Sequence, residues 1–215
     1  MRILVACEES QVVTIEMRRL GHEAYSCDII DCSGGHPEWH IKWDVLPLVN
    51  GNCSFLTSDG ELHRVDGRWD MIIAHPPCTY LSNAGARFLY PKGVLNEERL
   101  KKGLAAKELF MALYNADCER ICVENPIPSK VFGLPKHSQT VQPFEHGHPV
   151  QKKTCFWLKG LSPLQPTNIV KERQSTKIAG NWFNKGGEDR QKNRAKTFPG
   201  RAKAMAEQWS KELSK

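Results

Sequence analysis

The sequence predicts an α/β protein with a mostly parallel central sheet and helices on both faces. Three observations carry that prediction. Apolar runs at Ile3-Leu4-Val5-Ala6, Met71-Ile72-Ile73-Ala74 and Ile121-Cys122-Val123 are unbroken, which suits strands covered on both sides. Between them lie stretches with helical spacing, the alternation expected of βαβ units. Two of the runs end in residues that carry chemistry, His75-Pro76-Pro77-Cys78 and Glu124-Asn125-Pro126, and in open α/β sheets ligands bind at the carboxyl ends of strands.

In chain order, residues 2–7 form the first strand. Ser10 to Leu20 brings Val12, Val13, Ile15, Met17 and Leu20 together as a helix that stops at Gly21, the residue type that tolerates a helix C-terminus. Ala24-Tyr25-Ser26-Cys27 is a strand closed by Asp28. Strand, helix, strand and terminal acid outline a nucleotide-binding unit in which the acid accepts from ribose hydroxyls. The turn that should be rich in glycine is instead Cys7-Glu8-Glu9-Ser10-Gln11. Cys27, Cys32, His36 and His40 resemble a zinc set, but only three residues separate Cys32 from His36, far below zinc-finger spacing; a Gly-Gly loop is the better reading. Ile41 to Val45 is a further strand with Asp44 at its end. Thr57 to Val65, turning at Asp59-Gly60, reads as a hairpin inserted over residues 50–68.

Beyond Cys78, residues 82–93 form a loop. Asn96 caps a helix running to about Asp117, with Glu97 and Glu98 suited to its positive end. Its inward side chains are predicted to be Leu100, Leu104, Ala105, Leu109, Phe110 and Leu113. Arg120 to Pro126 is a buried strand, residues 127–150 a loop, and Lys153 to Leu158 another strand. Phe198 to Leu213 closes the chain as an amphipathic helix with Ala202, Met205, Ala206 and Trp209 on one side.

The 215 residues suffice for one domain with a real core. A hydrophobic content of 40% and a charged content of 25% belong to a soluble globular protein. No apolar run reaches membrane-spanning length, and the first strand starts at the N-terminus, so neither a transmembrane segment nor a signal peptide is expected. Eight scattered cysteines read as reduced thiols in the cytoplasm. Charge is uneven: residues 1–150 hold 15 Lys/Arg and 19 Asp/Glu, whereas residues 151–215 hold 15 and 5. That asymmetry points to a polyanionic partner.

The prolines before Cys78 fix their own φ and extend the preceding residue, so the thiol is held at a strand end, as a reactive cysteine needs. Glu124 leaves the neighbouring strand. A glutamate there is more often a cap or an ion-pair partner than a catalyst, but the parallel sheet brings its strand end beside that of Cys78.

With Pro76-Pro77-Cys78 and Glu124-Asn125-Pro126, the sequence resembles the DNA (cytosine-5) methyltransferases, and most closely their short phage- and prophage-type members. The resemblance covers most of the chain. It implies a Rossmann-like fold dependent on S-adenosylmethionine, with S-adenosylhomocysteine as product, and methylation of cytosine C5 in DNA through a covalent cysteine adduct, in the cytoplasm of a bacterial host. Cys78 matches the nucleophile and Glu124-Asn125 the Glu-Asn motif. Glu124 would be a carboxylic acid hydrogen-bonding N3 of the base. Lys152-Lys153-Thr154 lies near a basic Arg-x-Arg strand, which gives Lys153 a catalytic place. Asp28 and Ile29 fall at the ribose acid, Asp44 and Val45 at the adenine acid, and Ala6, Cys7, Glu8, Ser10 and Pro76 line the rest of the cofactor site. Metal is not implied.

Three departures stand out. The Phe-x-Gly-x-Gly-Gly loop is replaced by Val5-Ala6-Cys7-Glu8-Glu9-Ser10, lysines replace arginines on the basic strand, and the large target-recognition domain is missing. The expected organisation is a catalytic core over 1–168, a basic loop over 169–197 and a closing helix over 198–215. DNA would meet Lys152, Lys153, Lys177, Lys185, Arg190, Lys192 and Arg194. Two other readings stay open. An adenine-N6 or cytosine-N4 amino-methyltransferase wants Asp/Asn/Ser-Pro-Pro-aromatic, which His75-Pro76-Pro77-Cys78 fails at both ends. A catalytically silent nucleic-acid-binding protein of the same fold is favoured by the glycine-free turn.

Overall fold

A computed structural model of the chain describes residues 1–175 and 196–211. In chain order the elements are β1 (Arg2–Ala6), α1 (Val12–Arg19), β2 (Glu23–Asp28), β3 (His40–Lys42), β4 (Cys53–Leu56), β5 (Leu62–Val65), β6 (Met71–Ala74), α2 (Asn83–Ala86), α3 (Glu97–Tyr114), β7 (Ile121–Pro126), β8 (Gln139–Val141), β9 (Val150–Gln151), β10 (Thr154–Lys159), β11 (Gln174–Ser175) and α4 (Pro199–Lys211). Seven of the described strands join in one sheet, ordered β3-β2-β1-β6-β7-β10-β8. Within it only β10 runs against its neighbours, β7 and β8. β4 and β5 pair antiparallel as a separate hairpin, and β9 pairs with β11. This is the Rossmann-like arrangement the sequence predicts. The chain winds outward from β1 to β3 and then returns to lay β6 on the other side of β1. In sheets of this kind such a reversal marks the place where ligands bind, here the carboxyl ends of β1 and β6.

Both faces of the sheet are covered, which is why its strands read as unbroken apolar runs. Ile3 and Val5 pack with Val13 and Met17 of α1 and with Ala202, Met205, Ala206 and Trp209 of α4. Leu4 and Ala6 face the other way, toward Phe110 and Leu113 of α3 and toward Phe55, Val65 and Trp69. Each such side chain contributes about 1.5–3 kcal/mol by leaving water. Among the described residues no helix is long and apolar enough to cross a membrane.

Five local expectations are corrected. The stretch read as a loop over 127–150 supplies β8, which joins the central sheet beside β10. In α3, Leu104 and Ala105 are exposed, while Gly103, Phe110 and Leu113 are buried. A Cβ on Gly103 would run into the Phe132 ring, so the helix is rotated to bring its bare backbone against that ring. β3 stops at Lys42, which leaves Asp44 and Val45 in the following turn. β10 starts at Thr154, so Lys153 precedes the strand. The stretch read as a loop over 82–93 contains one helical turn, α2, and a 3₁₀ turn at Pro91–Gly93.

Candidate active site

The glycine-free turn after β1 works by placing two side-chain-bearing residues, Cys7 and Gln11, in left-handed backbone conformation, each with φ of 58°. Such geometry costs about 1–3 kcal/mol per residue and persists only where surroundings enforce it. Here the enforcement is visible. Gln11 is buried, donates through Nε2 to the His36 carbonyl (2.8 Å) and to Ser26 Oγ (3.2 Å), and accepts from the His36 amide (3.1 Å). The Ser33 amide donates to the Glu9 carbonyl (2.8 Å). Gly34 lies so close that a Cβ there would be 2.6 Å from Gln11 Cβ. The glycine is thus spent in the facing loop rather than in the turn itself.

Glu8 folds onto the start of α1 and accepts from the Val13 amide (2.7 Å), the Thr14 amide (3.2 Å) and Thr14 Oγ1 (2.7 Å). A carboxylate there meets the positive end of the helix. Burial pushes the Glu8 carboxyl up, with His75 and these hydrogen bonds opposing. Cys7, partly buried against the core, has its thiol pushed far up by burial and by Asp28.

The remaining predicted cofactor residues are unequal. Asp28 ends β2, accepts from the Ile30 amide (3.3 Å) and is pushed up by burial. Ile29 beside it is 74% exposed. Asp44 accepts from the Leu46 amide (3.0 Å) and faces solvent. Ala6, Ser10 and Pro76 are buried. Val45 packs in the core, so it has only its backbone to offer a ligand.

β6 delivers His75, Pro76, Pro77 and the half-buried Cys78. The His75 amide still bonds the Ala6 carbonyl (2.9 Å), extending the β1–β6 pairing by a residue. The chain beyond Cys78 is tied to the chain beyond β7: the Asn83 amide donates to the Ile127 carbonyl (2.8 Å) and the Ser129 amide to the Leu81 carbonyl (2.7 Å). Arg99 of α3 donates to the Thr79 carbonyl (2.9 Å) and lies over the Tyr80 and Phe88 rings. Cys78 is therefore held on the same sheet edge as Glu124-Asn125-Pro126.

Glu124 sits at the centre. The register pairs Ala74 with Val123, so His75 and Glu124 are lateral neighbours. His75 Nδ1 is 3.1 Å from Glu124 Oε1, and Arg201 Nη2 of α4 is 2.9 Å from Oε2. Arg201 Nη1 also donates to Thr154 Oγ1 (2.9 Å). Burial alone would raise the Glu124 carboxyl, but Arg201, His75 and Lys152 hold it down at about 2. The Arg201 and His75 contacts both favour the ionised form of Glu124. His75 is depressed by burial, yet Glu124 and Glu8 outweigh that and raise it. A row of alternating charge, Glu8–His75–Glu124–Arg201, crosses the carboxyl ends of β1, β6 and β7.

Asn125 is buried, and neither its amide oxygen nor its amide nitrogen has a hydrogen-bond partner among the described residues. Such a group is costly to bury unpaired. Behind Arg201, His148 Nε2 accepts from the Gly200 amide (3.0 Å), and burial followed by Arg201 and His148 lowers His146 to about 4. Lys153 is exposed; the half-buried Lys152 is the lysine whose charge reaches Glu124. Lys177, Lys185, Arg190, Lys192 and Arg194 lie outside the described residues. Sequence reasoning misses His75 and Arg201. The signal for His75 is a titratable residue directly before a Pro-Pro-Cys turn; Arg201 gives none.

No protein-family model matches the sequence, and no curated protein matches it. Among solved structures, a candidate DNA modification methyltransferase encoded within an E. coli prophage is similar over 86% of this chain and 56% of its own, with 13% identity and a TM-score of 0.43. The present chain therefore spans little more than half the length of that protein. At such similarity the reading of the site stands on its own residues.

Proposed function

We propose that the protein is an S-adenosylmethionine-dependent methyltransferase that methylates C5 of cytosine in DNA through a covalent adduct with Cys78. The observation that carries this reading is the joining of two strand ends. The chain just beyond the Pro-Pro-Cys turn of β6 and the chain just beyond the Glu-Asn-Pro exit of β7 are tied by backbone hydrogen bonds, beside the reversal of strand order. The sheet order, with one antiparallel strand set between the last two parallel ones, is also that of Rossmann-like methyltransferases.

The turn after β1 supports the choice of cofactor class. In dinucleotide-binding units the first helix offers free amides to phosphate. Here Glu8 already takes two of those amides, and its carboxylate repels phosphate. A cofactor with no phosphate and a cationic sulfonium fits that charge, with Asp28 available to its ribose and Ile29 to a face of its aromatic ring. S-adenosylmethionine, when bound, supplies the methyl electrophile.

The chain's own residues do the rest. Cys78 adds as thiolate to C6, forming the C6–S bond and making C5 nucleophilic. Glu124, held by Arg201, accepts the N3–H that forms as the base takes on electron density. The unpaired amide of Asn125 can bond the exposed edges of the base. After C5 has gained its methyl group, loss of the C5 proton to water re-forms the double bond and expels Cys78. A cytosine in duplex must leave the stack to reach this edge. The basic residues of 151–215 would hold phosphates, which gives affinity with little sequence information.

The test is labelled methyl transfer from S-adenosylmethionine to duplex DNA, single-stranded DNA, RNA and dCTP in parallel, with the product base identified. 5-Methylcytosine in DNA is expected; N4-methylcytosine or N6-methyladenine would overturn the reading. Cofactor binding without transfer to any of the four would favour the silent-binder reading.

A further inference from the structure

We propose that His75 carries the proton that cytosine N3 takes up when Cys78 adds to C6, delivering it through Glu124 and recovering it when the adduct collapses. The inference rests on the function proposed above and goes beyond it by assigning the proton's source. His75 stands where β6 hands over to the Pro-Pro-Cys turn, with its side chain 8% exposed and Nδ1 3.1 Å from Glu124 Oε1. Among the described residues neither ring nitrogen makes a hydrogen bond of full geometry, so Nδ1 and Glu124 Oε1 meet as an ion-pair contact.

Among the described residues the charged groups around it are few. Glu8 faces it from the turn after β1, Glu124 from β7 and Arg201 from α4. Lys152 and Cys122 act on or beside Glu124, and His146 and His148 face Arg201. Two carboxylates flanking one imidazole favour the imidazolium, and its elevated proton affinity agrees. Glu124 is a poor source, because Arg201 at 2.9 Å and His75 at 3.1 Å both favour its carboxylate form, and its lowered proton affinity agrees. Arg201 touches the same carboxylate, yet a guanidinium does not release a proton in this range. Within the row, His75 alone holds a proton that it can both give and take back.

The step balances. As the C6–S bond forms, the C5=C6 electron pair is pushed into the ring and N3 becomes basic. The Nδ1–H bond of His75 breaks, and its proton passes by way of Glu124 Oε1 to N3, leaving a neutral imidazole beside a carboxylate. On elimination, water takes the C5 proton, the C5=C6 bond re-forms, the C6–S bond breaks, and N3 returns its proton through Glu124 to Nδ1. His75 is unchanged over the cycle.

The experiment uses the whole chain labelled with ¹⁵N in its histidine rings. DNA containing 5-fluorocytosine and S-adenosylmethionine would trap the methylated adduct, because fluorine at C5 prevents elimination. At pH 7 the His75 ring is expected to show imidazolium shifts before trapping and neutral-imidazole shifts in the adduct. An imidazolium that persists in the adduct overturns the proposal. Single-turnover rates provide a second readout. The parent rate is expected to fall on the alkaline side as His75 loses its proton, and His75→Gln should lose that limb and turn over at least about 10²-fold more slowly at neutral pH. An unchanged alkaline limb in His75→Gln also overturns it. If the parent chain forms no adduct at all, the C5 reading fails first and this assignment falls with it, which separates the two failures.

Discussion

The two ends of the same three strands carry similar charged side chains and use them oppositely. At the amino ends of β1, β6 and β7, Arg2, Arg68, Asp70, Glu119 and Arg120 line a cavity of about 250 Å3. There Arg68 meets Asp117 at 3.2 Å and Glu119 at 3.3 Å, and all three side chains are at least half exposed. At the carboxyl ends Arg201 meets Glu124 at 2.9 Å, with side chains 1% and 11% exposed. Exposed pairs of the first kind are worth about 0–1 kcal/mol and weaken in salt. Buried pairs of the second kind cost several kcal/mol in desolvation, which their attraction offsets only with good geometry and added hydrogen bonds. A cavity lined by satisfied surface charge is a structural by-product of strand ends. A buried row of alternating charge is costly to maintain, and that cost is the better guide to function.

The sharpest break between the two ends is chemical. Cys78→Ser should abolish methyl transfer and adduct formation on 5-fluorocytosine DNA, while S-adenosylmethionine affinity measured by calorimetry stays near the parent value. Normal turnover in this variant would remove the C5 reading.

Next in size is the buried pair itself. Arg201→Met leaves Glu124 charged without its partner and should cost about 3–5 kcal/mol in urea unfolding at pH 7. Adding Glu124→Gln should restore most of that loss, because the uncompensated charge is gone. The sign with pH follows from the same contact. Glu124 titrates near 4.5 when unfolded and near 2 when folded, so its stabilising contribution is full above about pH 4.5 and disappears as pH falls toward 2. The parent should lose stability across that window, and Glu124→Gln should lack this component.

What the sequence discloses follows this division. The placement of Cys78, Glu124 and Asp28 at strand ends is legible because each lies at or just beyond an apolar run, and a run covered on both faces announces a parallel strand. Arg201 is illegible. The pattern Ala202, Met205, Ala206, Trp209 correctly marks the buried side of α4, but an arginine beside it reads as solvent-facing, and only the fold brings it onto Glu124. The protonation of Glu124 is hidden for the same reason, since it depends on a partner distant in sequence. The rotation of α3 is hidden because Gly103 packs by what it lacks. The turn after β1 is half legible: the missing glycines are obvious, whereas the left-handed Cys7 and Gln11 that replace them depend on the facing loop at Gly34.

Smaller effects are expected away from the buried row but still at the carboxyl ends. Asp28→Ala should weaken S-adenosylmethionine binding by about 1–3 kcal/mol, the scale of hydrogen bonds to a charged group, with unfolding midpoints little changed. Unaltered calorimetric affinity would take Asp28 out of the cofactor site.

The smallest effect belongs at the amino ends and completes the comparison. Arg68 contacts two carboxylates, Asp117 and Glu119, so a count of ion pairs would rank it above Arg201, which has one among the described residues. The exposure of all three partners argues the reverse. Their charges are already hydrated, so removing Arg68 leaves no desolvated carboxylate behind, and the side chain recovers rotamer freedom. Arg68→Ala should cost less than about 1 kcal/mol in urea unfolding at low salt. The difference should shrink further in 1 M NaCl, where the screening length is about 3 Å, and methyl transfer per folded molecule should not change. A loss comparable to that of Arg201→Met would mean that the cavity at the amino ends is held together by its charges, and the contrast between the two ends would fail.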